Sequence, residues 1–104
     1  MRREIESQIE NICTALAAQV VDVPAAKQVA GAKSWSSKTS DAAISDFVST
    51  VMGLPPSDAR AAKANDALTR HYHAAMKQGS NATNALRSTF ITACLAPSAV
   101  SIGL

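Results

Sequence analysis

Glycine and proline breaks constrain this chain first, because they cut it into segments that each carry a helical period. Pro24, the pair Pro55-Pro56 and Pro97 each lack a backbone N–H and fix φ, so no helix interior runs through them. Gly53 and Gly79 stand where a helix needs a left-handed residue to end. The clearest period lies before Gly53. Ile44, Phe47, Val48, Val51 and Met52 follow the spacing i, i+3, i+4, i+7, i+8, which places them on one face of a helix. Thr39 or Ser40 can cap that helix, and Asp41 suits the positive end of its dipole.

The other segments read in the same way. A first helix is predicted from about Arg3 to Val21. Its large apolar residues, Ile5, Ile9, Ile12, Leu16 and Val20, step by four, three, four and four, which draws one stripe. Those heptads are too few for a coiled coil, and the repeat then meets Gln19, so packing against other helices is expected. A helix from about Asp58 to Gln78, capped by Ser57, has Ala61, Ala64, Leu68, Tyr72, Ala75 and Met76 as its inner face. A last helix starts at Ser80 or Asn81 and ends near Ala96, with Leu86, Phe90, Ile91, Cys94 and Leu95 as its apolar set. Residues 24–40 read as a polar loop or a short helix, and 97–104 as an apolar C-terminal tail. No run of strongly β-forming residues sits between turn signals. The expected fold is therefore all-α, a single domain over 1–104. It is a four- or five-helix bundle whose antiparallel neighbours are joined by short Gly/Pro/Ser turns.

Composition bears on how such a bundle holds together. Apolar residues are 47% of the chain, but about one residue in five is Ala and aromatics are only 4%. Alanine buries little area, so the core is thin, and self-association would enlarge it. The first helix is amphipathic, and few large residues elsewhere are free to cover its stripe. Ile5, Ile9, Ile12 and Leu16 are thus candidate interface residues, expected at the centre of a symmetric dimer. Trp35, within Ser-Trp-Ser-Ser-Lys-Thr-Ser, either folds back as a plug over the core or projects as an anchor for a partner, and joins the candidates.

Candidate chemistry is sparse. His71 and His73 flank Tyr72 on one helix, two residues apart, so their side chains point about 200° from each other and cannot chelate a metal together. No metal and no cofactor is expected. Cys13 and Cys94 both lie in helical apolar patterns, away from the helix starts that activate a thiol. They read as buried free thiols in a reducing compartment, which points to the cytoplasm. Met1-Arg2-Arg3 resembles a signal-peptide start, but Glu4, Glu6 and Glu10 interrupt the apolar stretch that should follow. Glu6 and Glu10 share a face but pair naturally with nearby arginines. The glycines stand singly, so no phosphate-cradling loop exists.

The net charge of +2 does not imply a nucleic-acid or membrane partner. Ala75 and Gly79 have the spacing of a helix-turn-helix, but the helix that follows carries one cation, Arg87, so nucleic acid is disfavoured. These readings converge on a non-catalytic interaction or accessory protein, a homo-oligomer or a subunit of a complex. The alternatives are a ligand- or cofactor-binding helical module near His71, Tyr72 or His73, a small DNA-binding regulator, and a carrier or substrate presenting its tail to an enzyme. Phe47 sits mid-stripe on the clearest helix. Phe47→Ala is expected to cost about 3–5 kcal/mol by chemical denaturation, whereas an unchanged midpoint would mean that the inward face is wrongly assigned.

Overall fold

The computed structural model describes residues 2–24, 27 and 34–96, with side chains described from residue 8 onward. Four helices pack together: α1 (Arg2–Val20), α2 (Ser40–Asp46), α3 (Ala59–Lys77) and α4 (Ala82–Leu95). No strand occurs among the described residues, apart from a single parallel bridge between Val21 and Trp35. The fold is the small helical bundle expected.

Each helix begins and ends where local chemistry allows. A 3-10 turn, Ser37–Thr39, is capped by Ser36, whose side chain accepts from the Lys38 N–H, and it feeds directly into α2. Thr39 precedes α2 but makes no side-chain cap, because this turn already carries the chain in. The clear stripe does not stay α-helical throughout. From Phe47 to Val51 the chain widens into a π-helical turn, with Met52 N–H donating to the Phe47 carbonyl and Leu54 N–H to that of Val48. Gly53 ends it with φ 69°, the left-handed residue this closure needs.

Asp58, not Ser57, caps α3, since its carboxylate accepts from the Arg60 N–H at 2.8 Å. Gly79, at φ 100°, ends α3 in a Schellman closure: Ser80 N–H reaches the Ala75 carbonyl and Gly79 N–H that of Met76, both at 3.1 Å. Asn81 caps α4 by accepting from the Asn84 N–H at 2.7 Å.

Helix α4 is the centre of the bundle, packed against α1 on one side and α3 on the other. Ala85 and Ala93, fully enclosed, let the neighbouring backbones come close, and Leu86 and Phe90 fill the space between. Thr89 is also enclosed, and its hydroxyl donates back to the Ala85 carbonyl at 2.8 Å, so no buried polar group is left open there. Trp35, Phe47 and Phe90 form an aromatic cluster with ring centroids 5.0–6.0 Å apart. Phe47 is completely buried within it. On α3 the buried positions are Ala61, Leu68 and Tyr72; Met76, expected inside, is instead 39% exposed in the last turn of the helix. Leu95, at the last position of α4, is likewise exposed.

The expectation of free thiols is overturned. Cys13 of α1 and Cys94 of α4 form a disulfide, with Cα atoms 5.9 Å apart. The sequence could not show this, because the pairing joins residues 81 positions apart and depends on α1 and α4 running antiparallel. Such a link closes a long loop and stabilises chiefly by restricting the unfolded chain. The double variant Cys13→Ala/Cys94→Ala should lose about 2–4 kcal/mol of stability relative to the oxidised protein. Unreduced protein in denaturant should present no thiol to a titrating reagent among these two positions, and stoichiometric reaction would overturn the pairing.

Candidate functional site

Among the described side chains of α1, the buried ones are small. Cys13, Ala17 and Val21, the last just beyond the helix, face the core at four-residue intervals. Each follows a member of the aliphatic stripe by one position: Ile12, Leu16, Val20. One residue of helix is about 100° of rotation, so the stripe is turned aside from the core by that angle. Ile12 is accordingly 58% exposed and Leu16 40%, while Ile9 is half-buried and Val20 packs at the core's edge. The disulfide sets this rotation, since it fixes Cys13, and with it the next two turns, against α4.

The five residues expected at an interface therefore separate. Ile9, Ile12 and Leu16 lie along one outer face of α1. The side chain of Ile5 lies outside the described residues, as do the expectations for 97–104 and for most of 24–33. Trp35 does not belong with them. It is 9% exposed, packed on Phe47 and Phe90, and its indole N–H donates to Asp46 Oδ2 at 3.1 Å, so it is the core plug and not an anchor.

Beneath the end of α1 is a polar clasp that sequence reasoning missed. Asp22 adopts a left-handed backbone, φ 51°, which a short polar side chain tolerates. This turn lets Asp22 N–H donate to the Trp35 carbonyl and Trp35 N–H to that of Val20. The Asp22 carboxylate then accepts from Ser37 N–H at 2.9 Å and from the Thr83 hydroxyl at 2.5 Å. It thereby ties the end of α1 to the 3-10 turn and to the start of α4. Arg87, one turn further along α4, donates to the Val21 carbonyl at 3.4 Å. Partial burial pushes the Asp22 carboxyl up, but the hydrogen bonds from Ser37 and Thr83 and the charge of Arg87 outweigh it and hold the group below its ordinary value. The one cation that a groove-reading α4 would have used is thus turned inward.

The histidines are divided as their spacing requires. His71 Nε2 is 2.8 Å from Ser88 Oγ and 3.5 Å from Thr92 Oγ1, against α4, while His73 is exposed and touches the edge of the Tyr72 ring. Ser88 sits mid-helix, and among the described residues no carboxylate bonded to His71 completes a triad with it. Among the described residues no group of three His, Cys, Asp or Glu is placed to hold a metal. A cleft of about 550 Å³ lies between α2 and α3, lined by Val48, Ser49, Leu54, Ala61 and Asn65 among others, and a smaller one of about 300 Å³ lies beside Asp22 and Trp35. Neither is lined by His71, Tyr72 or His73. No described helix is long and apolar enough to cross a membrane.

Comparison with known protein families, with curated proteins and with solved structures finds no match to this chain.

The clasp predicts a pH dependence. A carboxyl whose folded pKa is depressed contributes stability that is complete above its unfolded pKa of about 3.9 and is lost as pH falls through the folded value. Asp22→Asn keeps the left-handed turn and an acceptor oxygen but removes the charge. The variant should be less stable than the parent at neutral pH, with the difference shrinking as pH falls below the ordinary carboxyl range in guanidinium titrations. A difference independent of pH would show that the Asp22 charge does not hold the clasp.

Proposed function

We propose that this chain is a non-catalytic helical interaction protein that presents the Ile9, Ile12 and Leu16 face of α1 to a protein partner. One observation carries the reading: on α1 the large Ile12 and Leu16 are exposed, while the smaller Cys13 and Ala17, one position further on, are buried. Burying an Ile or Leu side chain is worth roughly 1.5–3 kcal/mol, so a helix free to rotate would turn this stripe inward. A disulfide holds it in the opposite sense. Neighbouring exposed aliphatics on a rigid helix are what a partner's apolar surface can cover. The rest of the face is suited to this role, since Gln8, Asn11, Ala15 and Gln19 are exposed and uncharged.

The working environment in this reading is an oxidising compartment, in place of the cytoplasm expected from reduced thiols. A bond between Cys13 and Cys94 persists outside the reducing cytosol. Catalysis forms no part of the proposal, because among the described residues no carboxylate is bonded to the His71 ring that pairs with Ser88.

Photo-crosslinking in the source organism tests this. A benzophenone side chain at exposed Ala15 should give a discrete adduct, and the same probe at exposed Lys63 of α3 should not. Adding Ile12→Glu should lower the Ala15 adduct yield by roughly tenfold or more, since a charge would then enter an apolar seam. No adduct from Ala15, or equal adducts from both positions, would overturn the reading.

A further inference from the structure

We infer that Asn81 is an N-glycosylation site, carrying an oligosaccharide on Nδ2 at the turn between α3 and α4. The inference rests on the oxidising compartment read above from the Cys13–Cys94 bond, and is independent of what α1 meets. The chain has four asparagines, Asn11, Asn65, Asn81 and Asn84. Asn81 alone has a serine or threonine two positions on, in Asn81-Ala82-Thr83, with no proline between. That triplet is an acceptor for oligosaccharide transfer, but it has meaning only on the surface of a protein that meets the transferase. The disulfide argues for the meeting, since disulfide formation and this transfer both belong outside the reducing cytosol.

The surface condition is met by the turn itself. Gln78, Gly79, Ser80, Asn81 and Asn84 are all exposed. A Cβ placed on Gly79 would meet nothing within 4 Å, so the turn opens onto free space. The two ends of the Asn81 amide have different duties. Oδ1 accepts from the Asn84 N–H at 2.7 Å and caps α4. Nδ2 has no hydrogen-bond partner among the described residues. A sugar on Nδ2 therefore leaves the cap in place. Asn81 and Cys94 lie at opposite ends of α4, so a glycan does not crowd the disulfide.

Thr83 sets when the transfer occurs. The transferase reads the threonine hydroxyl, whereas in the folded protein that hydroxyl donates to Asp22 Oδ2. The sugar must arrive before this clasp closes. Chain order allows it, because residues 81–83 are made before Cys94, and the disulfide cannot close until Cys94 follows. The donor is an oligosaccharide linked to a polyprenyl pyrophosphate. Asn81 Nδ2 attacks the anomeric carbon of its first sugar, and the bond from that carbon to the pyrophosphate oxygen breaks. The lipid pyrophosphate leaves with the electron pair, and the amide proton passes to a base of the transferase.

Protein isolated from the source organism tests this. Trypsin cuts after Lys77 and after Arg87, so Asn81 is released within the single peptide 78–87. That peptide should carry the mass of an oligosaccharide, and fragmentation should place it on Asn81. Asn81→Asp, expressed in the same organism, should lose the added mass completely and still fold, since a carboxylate also caps a helix. Thr83→Ser should keep the added mass, because the hydroxyl remains for the transferase and for Asp22 alike. A sugar on Asn84, or added mass retained by Asn81→Asp, would overturn the site. If the peptide is bare while Cys13 and Cys94 are joined in the same sample, the glycosylation inference fails and the oxidising compartment stands. If the peptide is bare and both thiols are free, the compartment reading fails with it.

Discussion

The covalent link between Cys13 and Cys94 is the constraint on which the arrangement of this protein depends. It joins the first helix to the last, across nearly the whole chain, and it decides which way α1 faces. Cys13 and Ala17 face inward, while Ile12 and Leu16, which would bury more area, are left outside. Close approach of α1 to α4 also requires small side chains on both, and Ala17, Ala85 and Ala93 supply them. An Ala-rich composition that looks like a weakness in a core is here what permits two helix backbones to sit near each other.

The second support is polar. Asp22 gathers a backbone N–H from the 3-10 turn and a hydroxyl from α4 at the point where α1 ends. The disulfide and this clasp hold α1 at Cys13 and just past its C-terminal end, with a little over two turns between them. A helix fixed at two such points cannot rotate independently, so its outer face is a rigid surface. Rigidity favours recognition, because less conformational freedom is lost when a partner binds. The aromatic cluster of Trp35, Phe47 and Phe90 does comparable work for the opposite side, tying the loop before α2 to both α2 and α4.

Local sequence determined the helices and their ends, because those depend on neighbours in the chain. Gly53 and Gly79 adopt the left-handed conformation that their positions implied, and Asn81 caps the last helix. The cap at Asp58 instead of Ser57 is a shift of one residue between two competent acceptors. Phe47, Leu68, Tyr72, Leu86 and Phe90 were legible as core residues, since a large apolar side chain in the middle of a periodic helix has few other places to go. The aliphatic stripe of α1 was legible as a stripe as well.

Which way that stripe faces was decided only by the tertiary structure. Periodicity gives the angle between residues on one helix, never the angle of that helix to its neighbours. Here the latter was set by a bond between two cysteines that nothing local brings together. The same holds for Asp22, whose three partners lie on segments separated by up to 61 residues, and for Trp35, whose polar neighbours in sequence gave no sign of the aromatic cluster that receives it. Sequence by itself determined a bundle of helices with thin, alanine-rich faces. Long-range pairing determined which of those faces the protein leaves exposed, because a covalent link at Cys13 and polar links just past the C-terminal end of α1 fix how the helix sits against α4.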